Sequence, residues 1–212
     1  MSGLAARMWA DGADLAAAAE ATPFVRGVAD GTLAREAFRG YVAQDAHFLV
    51  AFARAYALAL AGSPDAETVL VFADLVHGVR EELGLHAAYA RRWGAVAAPP
   101  APATLAYTDF LLATAATAGL GATCAAMTPC MRLYAHLGAR LPAAGPYAEW
   151  VRTYADPGFA ALAARLEGLL DRFGSDVPAV RGAYRRALQL EVDFFRAATG
   201  GTATGEAAAA PW

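Results

Sequence analysis

The sequence predicts an all-α chain, a single-domain helical bundle. Three observations lead there. Nearly every long segment repeats apolar residues at three- and four-residue intervals, the pattern of one helix face. No run of alternating β-branched residues is long enough for a strand. Glycine and proline fall between the periodic segments, where helices stop. The 212-residue length allows one sizeable core. A composition that is 58% hydrophobic and 17% charged fits extensive burial, including a subunit interface.

Leu4 to Ala21 reads as a first helix, and Pro23 to Gly31 as a short connection. Thr32 is the expected N-cap of a long helix ending near Gly62. Ser63-Pro64 offers a cap followed by proline at the first helical position, opening a helix to about Trp93. Residues 94–103 form a proline-rich loop. Helices are expected over 104–127, 129–140, 146–154, 157–173 and 177–199, with the break before Cys130 set by Pro129. The domain thus covers 1–199. Residues 200–212 read as a low-complexity tail whose terminal Trp212 has the option of docking on the body.

The net charge of −3 gives no broad attraction for nucleic acid or anionic membrane. Phe110 to Met131 carries no charge, but its Ala, Thr, Gly and Pro129 content suits a helix buried in protein better than one in lipid. The N-terminus has early acids and no long apolar run, which reads against a signal peptide and leaves a cytoplasmic location as the expectation. Cys124 and Cys130 match no zinc spacing and are expected as free thiols.

The informative residues are acids where apolar side chains belong. Phe38, Tyr41, Asp45, Phe48 and Phe52 trace one helical stripe with an acid at its centre, and Tyr184, Ala187, Glu191, Phe194 and Ala198 trace another. A carboxylate directed into a core costs several kcal/mol unless paired, so two of them point to a polar pocket. Asp45 reads either as a structural acid bonded to a neighbour or as an acceptor for a ligand's amino group, with Gln44 beside it as a second polar group. Glu191 reads as an acid/base group, or as a partner of Arg185 or Arg186. If Thr128 caps a helix restarting at Pro129, Cys130 falls in the first turn, where the helix dipole favours thiolate. Against that stands the plainer reading of an isolated cysteine as a small core residue, which is also the reading for Cys124. Tyr107, Tyr134 and Tyr154 fit either the core or a pocket wall; Tyr134 lies one turn after Cys130. Glu82 and His86 form an i,i+4 pair that reads as an internal ion pair, or less well as part of a di-metal centre, whose Glu-x-x-His spacing it does not match.

Together these residues resemble the TenA family, the thiaminase II group of the haem-oxygenase-like fold. Phe24-Val25-Arg26-Gly27 with Asp30-Gly31-Thr32-Leu33, then Tyr41-Val42-Ala43-Gln44-Asp45, are similar to its first two motifs. Tyr107-Thr108, Pro129-Cys130 through Tyr134, Trp150 through Tyr154, and Glu191 through Phe194 follow in register. The resemblance implies a hydrolase of thiamin and of 4-amino-5-aminomethyl-2-methylpyrimidine that uses no metal or cofactor and assembles as a homotetramer. It implies Cys130 as nucleophile, Glu191 as proton donor and Asp45 as acceptor for the ring's amino group. It also implies Tyr107, Tyr134, Tyr154, Phe48 and Gln44 around the substrate. Phe48 stands where a tyrosine is expected and Phe195 where tryptophan is frequent. Two other classes fit the same scaffold: a non-catalytic pyrimidine-binding or regulatory protein, and a metal-dependent oxidase.

Overall fold

The computed structural model describes residues 3–200, and among these it is built of ten helices without a strand. They are α1 Leu4–Asp11, α2 Ala13–Glu20, α3 Pro23–Asp30, α4 Arg35–Ala61, α5 Ala66–Trp93, α6 Pro102–Thr117, α7 Leu120–Arg140, α8 Ala148–Tyr154, α9 Pro157–Phe173 and α10 Pro178–Gly200. The expected tail and Trp212 lie outside the described residues, apart from Gly200 at the end of α10. Among the described residues no helix is long and apolar enough to cross a membrane.

α4 packs against α5 and α6, while α7 packs against α9 and α10. α7 forms the centre of the bundle, with every residue from Thr123 to Met131 buried. This is the helix expected from the uncharged segment, but its limits differ. The segment breaks at Ala118-Gly119, where the backbone is extended, so Phe110 ends up on α6 and Met131 on α7.

Pro129 does not break the helix. It removes one backbone donor from the interior of α7, a loss of about 3 kcal/mol in an isolated helix. Burial of the whole surrounding stretch outweighs that loss, since tertiary packing supplies most helical stability. Thr128 turns its hydroxyl back to the Cys124 carbonyl at 2.7 Å and caps nothing. The expected restart before Cys130 is therefore corrected: Cys130 sits in mid-helix.

Other boundaries move for local reasons. The first helix divides at Gly12, where a Cβ would lie 2.3 Å from Leu188 Cδ1. The expected connection at 23–31 is helix α3: Thr22 Oγ1 accepts from Val25 N at 3.3 Å, Pro23 occupies the first turn, and Gly31 ends it at φ 76°. Thr32 is drawn to Asp30 Oδ1 instead of capping α4, which starts after Ala34. Asp65, not Ser63, caps α5 by accepting from Thr68 N at 2.8 Å.

Candidate active site

Six helices converge on one enclosed polar cluster. α4 supplies Asp45 and Phe48, α5 supplies Glu82 and His86, and α6 supplies Tyr107. α7 contributes Cys130 and Tyr134, α8 contributes Tyr154, and α10 contributes Glu191. Gly138 permits part of this convergence: a Cβ there would lie 2.3 Å from the Tyr154 carbonyl carbon, so only glycine lets the end of α8 rest on α7. That contact brings the Tyr154 ring to 4.6 Å from the Tyr134 ring.

Glu191 is 1% exposed and accepts from Tyr107 Oη at 2.6 Å. The Cys130 thiol lies close enough to the same carboxyl to interact with it. Burial pushes the Glu191 carboxyl up to about 7, while Tyr107 and the thiol pull it down. Arg185, one of the alternatives for its partner, pairs instead with Asp14 on α2 at 2.7 Å.

Burial also pushes the Cys130 thiol well above its ordinary range, and the negative charges of Glu191, Glu82 and Asp45 push it further. The expected dipole-lowered thiolate is thus overturned. Mid-helix amides are already paired, so no free N–H group or helix end faces the sulfur. What Cys130 has is a carboxylate able to take its proton.

Asp45 is 7% exposed, and burial lifts its carboxyl to about 7. His86 Nε2 lies 3.8 Å from Asp45 Oδ2 and 2.6 Å from the Val42 carbonyl oxygen. A carbonyl only accepts, so Nε2 carries a hydrogen. Burial lowers the His86 value, favouring the neutral ring. Glu82 accepts from Tyr154 Oη at 3.1 Å, and burial followed by the Asp45 charge raises it to about 8. The expected Glu82–His86 pairing is therefore replaced by Glu82–Tyr154 and His86–Asp45. Among the described residues no group of three or more His, Cys, Asp or Glu side chains is arranged to hold a metal ion.

Tyr134 and Tyr41 share a hydroxyl contact of 3.1 Å, and Trp150 Nε1 donates to Tyr41 Oη at 3.3 Å. Phe48 packs its ring 4.8 Å from that of Tyr107. Phe195 is fully enclosed, stacked on Phe24 at 5.4 Å, so this departure from the expected motif belongs to the core. Gln44 faces elsewhere. Its amide oxygen accepts from Ala101 N and Thr104 Oγ1, each at 2.7 Å, and its nitrogen donates to Pro99 O at 3.1 Å. Neighbouring helix positions point about 100° apart, which separates Gln44 from Asp45.

A cavity of ≈20 Å³ adjoins Cys130, walled in part by Asp45, Phe48, Glu82, Tyr134 and Tyr154. A second, of ≈30 Å³, lies between Asp45, Glu82, His86, Tyr41 and Trp150. A cleft of ≈740 Å³ between α5, α8 and α9 reaches inward to Glu82, Met131 and Phe159, which also wall the cavity at Cys130. A separate groove of ≈620 Å³ touches Gln44.

The chain as a whole has known relatives. The chain matches the TENA/THI-4/PQQC family over residues 16–200. It belongs to that family. It is 37% identical over 161 residues to an aminopyrimidine aminohydrolase of Halalkalibacterium halodurans, covering 70% of this chain and 72% of the relative. It is 35% identical over 209 residues to the bifunctional TH2 protein, mitochondrial, of Arabidopsis thaliana. That match covers 83% of this chain but spans only 34% of the relative's length. Among solved structures, a TenA family transcription regulator from Silicibacter sp. TM1040 superposes with a TM-score of 0.86 at 31% identity, covering 92% of this chain and 96% of that one.

His86 and Tyr41 are the site residues whose roles were least visible beforehand. The sequence signals His86 through its spacing from Glu82, and Tyr41 through its place on an apolar stripe and in the Tyr41–Asp45 motif.

Proposed function

We propose that this chain is an aminopyrimidine hydrolase of thiamin salvage, acting on thiamin and on its aminomethylpyrimidine breakdown product. The enclosed Cys130–Glu191–Tyr107 cluster with Asp45 close by carries this reading. Similarity to an aminopyrimidine aminohydrolase supports it. Assembly as a homo-oligomer belongs to the same reading.

The steps follow from this placement. Glu191 as carboxylate takes the Cys130 proton, and the sulfur adds to a pyrimidine ring carbon. From the free amine, Glu191 returns that proton to the exocyclic nitrogen, which leaves as ammonia when its bond to the methylene breaks. The nitrogen of thiamin is already cationic and leaves with the bonding pair as neutral thiazole, the proton passing to a ring nitrogen instead. Water adds to the methylene, giving its proton back to Glu191, and the carbon–sulfur bond breaks to restore the ring and the thiolate. A carboxyl near 7 suits both halves of this exchange. Asp45 accepts from the ring's amino group, and Phe48 offers a stacking face. Tyr107 holds the Glu191 carboxyl in place. Gln44 acts indirectly, by fixing the loop over residues 94–101 against α4.

The cavity at Cys130 is near the volume of a single water, so binding of a ring requires side chains along the cleft to move. Mass spectrometry of products from thiamin and from the aminomethylpyrimidine tests the reading. Hydroxymethylpyrimidine from either substrate is the expected result. Absence of product from both would contradict it and favour a regulatory role, the description carried by the Silicibacter relative.

A further inference from the structure

We propose that Glu82 forms, at the inner end of the large cleft, a subsite for a positively charged leaving group. This rests on the aminopyrimidine reading above and assigns a task to a carboxylate that the reaction steps leave unused.

Glu82 is the geometric junction of the site. Glu82 lines the outer cleft and both small cavities, so it stands where the three adjoin. Tyr154 holds that carboxyl from one side at 3.1 Å. Met131 and Phe159, the other residues common to the cleft and the Cys130 cavity, are apolar, so Glu82 is the polar group at this neck.

Charge balance indicates the ligand. Three carboxyl groups, Asp45, Glu82 and Glu191, surround Cys130 closely enough to act on its thiol. Among the described residues the ion pair of this triad is His86 with Asp45, and burial favours the neutral form of that histidine. The enclosed region is therefore short of positive charge, and burial first, then repulsion with Asp45, keeps Glu82 partly protonated in the free protein. A ligand bringing a cation would relieve that repulsion. An ammonium group and a heteroaromatic cation both supply it, and both are leaving groups on a pyrimidine methylene.

A second observation marks the same spot. Tyr56 lines the inner cleft beside Glu82, and its hydroxyl, 1% exposed as a residue, has no hydrogen-bond partner among the described residues. A buried hydroxyl without a partner is unfavourable, so a group that supplies one on binding gains from it.

Dissociation constants for three ligands test this on a Cys130→Ser background, which prevents turnover. The ligands are thiamin and the aminomethylpyrimidine, both cationic beyond the ring, and the neutral hydroxymethylpyrimidine. Adding Glu82→Gln is expected to weaken the two cations by about tenfold or more while changing the neutral ligand less than about twofold. Glu82→Asp, which keeps the charge, should retain most of the preference for cations. Equal weakening of all three ligands, or unchanged binding of the cations, would overturn the subsite. Turnover by the otherwise unaltered protein separates the two claims. A cation preference that depends on Glu82 without hydrolysis would overturn the catalytic reading alone. Hydrolysis with no such preference would overturn the subsite alone, and failure to bind any of the three would overturn both.

Discussion

Asp45 on α4 and Glu191 on α10 each interrupt an apolar stripe, and burial lifts both carboxyls to about 7. Their surroundings nevertheless differ. Glu191 is held by Tyr107 and faces the Cys130 thiol, the nucleophile in the proposed reaction. Asp45 has the His86 ring at 3.8 Å, beyond hydrogen-bond reach, and stands on the walls of both small cavities. The same burial thus produces two carboxyls with different capacities. Glu191 already faces a proton source and can exchange protons. In the proposed reaction, Asp45 meets a donor that arrives with the ligand.

That contrast breaks most visibly at Glu191. Replacing it with glutamine keeps an acceptor for Tyr107 but removes the proton carrier, and kcat is expected to fall by about a hundredfold or more with little change in KM. A loss seen mainly in KM would move Glu191 to the binding side of the comparison. For Asp45→Asn the split should reverse. KM for the aminopyrimidine is expected to rise about tenfold, from loss of a charge-assisted hydrogen bond, with kcat within a few-fold.

The raised carboxyls also make a stability prediction. An acid whose folded value lies above its ordinary one binds more protons when folded than when unfolded. Its favourable contribution is complete below the ordinary value, 3.8 for Asp45 and 4.5 for Glu191, and is lost as pH rises through about 7. Melting temperature should therefore decline across that window, and less steeply in Asp45→Asn. His86, with its lowered value, acts in the opposite sense and loses stability as pH falls below 6.5. A decline of equal slope in wild type and Asp45→Asn would show that Asp45 is not the titrating group. The smallest expected effect is at Gln44. Gln44→Ala should leave kcat within about twofold, since its amide binds the loop, but should speed hydrogen exchange over residues 94–101. A large loss in kcat would place Gln44 in the pocket.

Asp45 and Glu191 were legible in the sequence because a periodic stripe exposes any polar residue that breaks it. The context of Cys130 was misread because the rule applied there was local. Proline disfavours helix interiors, yet the buried stretch Thr123–Met131 holds α7 together around it. α3 was missed although its signals, Thr22, Pro23 and Gly31, were present, because eight residues show little periodicity. Glu82 with Tyr154, 72 residues apart, and His86 with Val42, 44 apart, depend on how helices pack, which spacing along one helix does not encode. Gln44 shows the converse: adjacency to Asp45 in sequence placed it on a different face.

The most direct test of the account is the rate of hydroxymethylpyrimidine formation by wild type, Cys130→Ser, Glu191→Gln and the double variant. If the thiol and carboxyl act as one unit, Cys130→Ser lowers turnover by about a thousandfold or more, and adding Glu191→Gln lowers the residual rate no further. A Cys130→Ser protein that stays within about tenfold of wild type, and is slowed again by Glu191→Gln, would contradict the pairing.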